Sequence, residues 1–198
     1  MTAAVLRLKV RLNDVEPKVL RRIEVPADIR LDRLHLTLQA ALGWTNSHLF
    51  EIRARDVCWG QPSPDWPDGP LDARKAKLID VLDDAGTKTL RYLYDYGDGW
   101  EHTIKVERMA PAESDVLYPR LIEASGRCPP EDVGGPWGYG EMLEAFEDPN
   151  HERYAETRDW LGEDFDPNAF DAQQRKADVA ALAKRWARKP KAKKPPPT

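Results

Sequence analysis

The chain is 198 residues long, 41% hydrophobic and 32% charged, with 30 Lys plus Arg against 34 Asp plus Glu. That length supports one domain with a substantial core. Its longest apolar runs, such as Leu38 to Leu42, fall far short of the roughly 20 residues a membrane-spanning helix needs.

Residues Met1 to Arg7 turn to charge at once and match no secretory signal, so the expected compartment is the cytoplasm, with no membrane partner. Cys58 and Cys128 lie far apart without a C-x-x-C, and two reduced thiols are expected rather than a zinc knuckle or disulfide framework. The net charge of −4 conceals an asymmetry. Residues 184–198 carry seven Lys and Arg and no acid, leaving −11 for the rest. Pro190, Pro195, Pro196 and Pro197 cannot sustain a helix, so residues 190–198 are expected to be a disordered basic tail behind a domain spanning 1–189. Such a tail offers one route to nucleic acid.

Along the chain, Val5 to Leu12 alternates apolar and basic residues, with Leu6, Leu8, Val10 and Leu12 on one face, which predicts a half-buried strand. Asn13 to Pro17 supplies turn chemistry, and Val19 to Val25 returns as its antiparallel partner, with Arg21 interrupting the apolar face. Leu31, Leu34, Leu38, Ala41 and Leu42 recur at helical spacing until Gly43 stops the pattern. Ser47 to Ala54 reads as a strand, Gly60 to Pro70 as a loop, and Leu78 to Gly86 as a short helix. Thr89 to Tyr96 and Trp100 to Met109 form a hairpin around Gly97-Asp98-Gly99. Leu117 to Ala124 is the last predicted strand. After a Pro- and Gly-rich stretch at 126–140 come helical segments at 142–146, 151–161 and from Asp171 to about Lys189. Strands first and helices gathered near the C-terminus predict an α+β single domain with a mostly antiparallel sheet.

Chemistry concentrates in two stretches. In Tyr92 to His102, a two-residue turn at Asp98-Gly99 would place Asp95 opposite His102, either a carboxylate–imidazole pair suited to acid–base work or metal ligation, or simply a satisfied polar pair beneath a Trp. A three-residue turn would put Tyr94 there instead. In Cys128 to Gly140, paired Pro and paired Gly shape a loop around Glu131 and Asp132. It matches no phosphate-binding fingerprint, and its acids repel an unescorted phosphate. Asp95, Asp98, His102, Glu131 and Asp132 could instead gather around a divalent cation, since oxygen-rich sites suit Mg²⁺, Mn²⁺ or Ca²⁺. The ordinary duties of Glu131 and Asp132 would be capping a helix or pairing with Arg.

Five stretches together resemble the plasmid pRiA4b ORF-3 family, also met as a passenger protein of bacterial insertion sequences. They are Arg11-Leu12-Asn13-Asp14-Val15-Glu16-Pro17, Arg21 to Pro26, Leu42-Gly43-Trp44-Thr45-Asn46-Ser47-His48-Leu49, Tyr94 to His102 and Cys128 to Tyr139. The resemblance continues through Trp160 to Pro167, covering about residues 5 to 172. It implies an α+β fold rather than an activity. Two positions depart from the family pattern: Leu20 stands where a Trp is expected, and Phe50 where a second His would follow His48-Leu49. Some members are described as resolvase-like, but His151-Glu152-Arg153 has the wrong spacing for a tyrosine recombinase, and an acidic body disfavours phosphate-backbone binding.

The resulting expectation is a non-catalytic binding or interaction module associated with mobile elements or plasmids, its ligand a peptide or basic protein partner. Trp44, Trp100, Trp137 and Tyr139 would act as anchors, with His48, Asp98, Glu131 and Asp132 around them, core packing being the alternative for each Trp. The alternatives are a divalent-metal-assisted hydrolase or phosphoesterase built on the Asp/His/Glu cluster, and nucleic-acid association through residues 184–198.

Overall fold

A computed structural model describes residues 4–187. The tail proposed at 190–198, and most of the basic segment from 184, lie outside the described residues. Eight strands form one sheet, β1 (Ala4–Leu12), β2 (Leu20–Pro26), β3 (Phe50–Ala54), β4 (Val57–Gly60), β5 (Leu71–Asp72), β6 (Thr89–Tyr94), β7 (Trp100–Pro111) and β8 (Arg120–Ser125). The helices are α1 (Leu31–Leu42), α2 (Leu78–Ala85), α3 (Gly135–Glu147), α4 (Tyr154–Leu161) and α5 (Ala172–Trp186). The strand order is β5-β4-β3-β6-β7-β1-β2-β8, antiparallel throughout except for the short β4–β5 pair. This is the α+β single domain anticipated from the order of elements.

The N-terminal hairpin follows from its alternation. Leu6, Leu8, Val10 and Leu12 are buried, and Val10 faces Arg21 across the β1–β2 pair. Arg7 and Glu24, on the opposite face, belong to a charged ladder in which the buried Glu24 carboxylate accepts from Arg7, Arg108 and Arg120. Arg22 likewise bridges Glu107 and Glu123.

Arg21, expected to interrupt the apolar face, lies on that face and is fully buried. Its Nε donates to the Ala41 carbonyl at 2.7 Å, Nη1 to Leu20 and Ser125 at 2.8 and 2.7 Å, and Nη2 to Gly126 at 3.1 Å. The Phe170 ring stacks 3.9 Å from the guanidinium carbon. Burial lowers its pKa to about 10, so it remains charged at neutral pH. One side chain thereby ties the end of α1 to β2 and the end of β8.

Four expectations about elements are corrected. β3 begins at Phe50 rather than Ser47, because the Ser47 and His48 amides bond to the Tyr94 hydroxyl instead of a neighbouring strand. The 57–60 segment, unassigned in the sequence, pairs with β3 as β4. The last strand starts at Arg120, with Leu117 exposed. α3 starts at Gly135, inside the Gly-rich stretch, with Pro136 in the first turn, where its missing N–H costs nothing. No described helix is long and apolar enough to cross a membrane.

Candidate functional site

Three loops meet at one end of the sheet: the segment entering β3, the β6–β7 turn, and residues 128–134 leading into α3. Tyr94 organises them. Its hydroxyl accepts from the Ser47 and His48 amides at 3.0 and 3.3 Å and donates to Glu131 Oε1. Trp44 stacks on its ring at 5.0 Å and donates its indole N–H to the Pro129 carbonyl. Burial, followed by the hydrogen bond to Glu131, pushes the Tyr94 phenol up.

The β6–β7 loop differs from both turns considered. Tyr94 faces Trp100 and Tyr92 faces His102, so five residues, 95–99, form the connection. Asp95 itself takes the left-handed conformation at φ 60°, and its Oδ1 accepts from the Gly97 and Asp98 amides at 2.9 and 3.4 Å. A short polar side chain that bonds its own following backbone makes this conformation tolerable.

The expected Asp95–His102 pair is therefore absent. His102 is fully buried, with Nδ1 3.2 Å from the Tyr92 carbonyl oxygen and Nε2 without a partner. Burial lowers its pKa to about 4, leaving it neutral at physiological pH and out of reach of solvent.

The carboxylates separate into three duties. Asp98 accepts from the Val133 and Gly134 amides at 3.1 and 3.2 Å, filling with its own charge the anion position at the start of α3. Close approach depends on Gly135: at φ 69°, a Cβ there would lie 2.0 Å from the Asp98 carbonyl oxygen. Glu131 neither caps a helix nor pairs with Arg. It accepts from the Thr45 amide and hydroxyl at 3.0 and 2.6 Å, from Ser47 at 3.2 Å, and from Tyr94. Burial alone would raise its pKa, but these hydrogen bonds outweigh burial and lower it.

Asp95 and Asp132 instead converge on His48. His48 Nδ1 lies 3.5 Å from Asp95 Oδ2, and Nε2 lies 3.2 Å from Asp132 Oδ1. Of the five carboxylate and imidazole groups expected around a cation, the fold thus brings Asp95 and Asp132 together and supplies His48, rather than His102, as their neighbour.

The proposed aromatic anchors divide as well. Trp44, Trp100 and Tyr139 are core residues with at most 8% exposure, so they shape the site from beneath. Trp137 is 79% exposed and borders a cleft of about 450 Å³ between α3 and α4. Trp160, 55% exposed, lines it too, together with Asp132, Glu141, Glu156 and Arg153. Thr157 also lines the cleft, and its buried hydroxyl has no hydrogen-bond partner among the described residues. Sequence reasoning missed Trp160, Glu141, Glu156 and Thr157. The helical spacing of Glu156 and Trp160 one turn apart was the available signal.

A sheet of eight strands, antiparallel but for one short pair, with five helices gathered mostly toward the C-terminus and an acidic, aromatic loop cluster beside α3, defines an α+β protein. The chain belongs to the plasmid pRiA4b ORF-3-like protein family, whose model matches residues 4–174. It is 56% identical over 194 residues to the uncharacterized protein y4hQ of Sinorhizobium fredii, covering 98% of this chain and 100% of that one. Among solved structures, it is similar to the protein of unknown function MM3350 from Methanosarcina mazei Go1. That match has a TM-score of 0.78 and 34% identity, covering 90% of this chain and 99% of the other.

Proposed function

We propose that the protein is a binding module whose ligand is a lysine- or arginine-bearing segment of a protein partner, received in the α3–α4 cleft. The observation that carries this reading is the exposure of Trp137 and Trp160 on a cleft with three carboxylates, Asp132, Glu141 and Glu156, against one guanidinium, Arg153. A cation over an indole face gains about 0.5–2 kcal/mol, more as water is excluded. The carboxylates favour the same charge and steer its approach.

The test is fluorescence anisotropy with a lysine- and arginine-rich peptide and a glutamate-rich peptide of equal length. The basic peptide should bind, more weakly as salt rises, while Trp137→Ala loosens it roughly tenfold, about 1.4 kcal/mol. Equal binding of the acidic peptide, or unchanged affinity in Trp137→Ala, overturns the reading.

A further inference from the structure

We propose that His48, Asp95 and Asp132 form a divalent-metal site of the zinc or manganese type. One ligand atom from each residue lies within 4.8 Å of the other two. Donors bound at about 2.0–2.2 Å to one ion stand roughly 3–4 Å apart, so the three need to close in by at most about 1–2 Å. One imidazole nitrogen with two carboxylate oxygens suits Zn²⁺ or Mn²⁺ better than the all-oxygen shell that Ca²⁺ and Mg²⁺ prefer.

Two features at the site point to an ion rather than to a completed polar cluster. Asp95 is only 7% exposed, and its Oδ1 is committed to the Gly97 and Asp98 amides. Its Oδ2 faces His48 and has no hydrogen bond or Lys or Arg partner among the described residues. Leaving a nearly buried carboxylate uncompensated is costly. The second feature is His48 Nε2, a solvent-shielded ring nitrogen without a hydrogen-bond partner among the described residues, although Asp132 is close. Because an imidazole must be deprotonated to ligate a metal, the three ligands together would carry two negative charges, which a divalent ion balances.

The three residues come from three different loops, so the ion would fasten the β3 approach, the β6–β7 turn and the α3 approach together. Asp132 also borders the α3–α4 cleft, placing the ion's remaining coordination positions within reach of water or a ligand donor there. This site goes beyond the peptide-binding reading and shares only Asp132 with it.

The experiment uses the full chain, freed of metal by chelator and dialysis, and titrated with Zn²⁺ and then Mn²⁺ and Mg²⁺ by calorimetry. One Zn²⁺ should bind per chain and raise the melting temperature, with Mg²⁺ far weaker. His48→Ala and Asp95→Asn should each weaken Zn²⁺ binding by about tenfold or more. His151→Ala, which alters a half-buried histidine elsewhere, should leave it unchanged, as should Trp137→Ala, so this site and the peptide cleft can fail separately.

Imidazole ¹H–¹⁵N spectra of the unmutated protein provide a measurement independent of variant folding. On adding Zn²⁺, one His48 ring nitrogen should shift to a metal-bound position while the other keeps its proton. Spectra with both His48 nitrogens protonated and indifferent to Zn²⁺ would mean an imidazolium held between two aspartates. That result overturns the metal site, as does Zn²⁺ affinity unaffected by His48→Ala.

Discussion

The Tyr94 phenol donates to the Glu131 carboxylate while accepting the amides of Ser47 and His48, so one hydroxyl joins the loops before β3 and α3. Tyr94→Phe removes that junction without changing the ring that stacks on Trp44. The expected loss is about 1–3 kcal/mol, because two backbone donors lose their partner and Glu131 Oε1 keeps only the Ser47 hydroxyl. Urea denaturation measures it. A loss below about 0.5 kcal/mol would show that water replaces the hydroxyl and that the loops hold without it.

His35 and His102 make the fold acid-sensitive. Burial lowers both to about 4 from the ordinary 6.5. Between those values the unfolded chain takes up protons that the native state refuses, so stability falls as pH drops from about 6.5 toward 4. Each contributes up to about 3 kcal/mol of that loss. The lowered carboxyls of Glu24 and Glu131 extend the decline below this window, with the same sign. Thermal melts between pH 7 and 4 should show the trend, and His102→Asn should reduce its slope by about half. A flat profile in the unmutated protein contradicts the neutral, buried state of these rings.

Arg21 is held by four backbone carbonyls, with no carboxylate bonded to it among the described residues. Arg21→Met, which fills similar space, strands those carbonyls and should cost about 3–5 kcal/mol. Arg21→Lys should recover only part, since one ammonium cannot span acceptors on α1, β2 and the end of β8. Guanidinium denaturation ranks the three proteins, and an Arg21→Met variant as stable as the parent would disprove the clamp.

What could be read from the amino acids was whatever depends on near neighbours. The 5–12 alternation, the α1 repeat ending at Gly43 and the pairing of two strands around 97–99 are local patterns, and each has its counterpart in the structure. The register of the central hairpin was not local in that sense. It turned on Asp95 adopting a left-handed backbone and bonding the next two amides, which the neighbouring glycines concealed. β4 escaped because Val57-Cys58-Trp59-Gly60 is too short for a period. The site escaped for the same reason at longer range. His48 reaches Asp95 only because Phe50 pairs with Tyr94, placing the segment before β3 beside the residue after β6. Trp44, Trp100 and Trp137 are alike as letters, yet only the last faces solvent, and packing decided that.

The order β3-β6-β7-β1-β2-β8 gives the N-terminal strand an interior seat. Every ladder bond between the two halves of the sheet runs through β1 and β7, whose paired residues lie about a hundred positions apart in the chain. During synthesis, the β1–β2 hairpin can form early, but β1 must keep its outer edge unsatisfied until β7 has left the ribosome, and β2 must keep its own until β8 follows. The protein therefore closes late and through a single seam. A chain interrupted before β7 leaves two unjoined fragments with bare edges, open to pairing with the wrong neighbour.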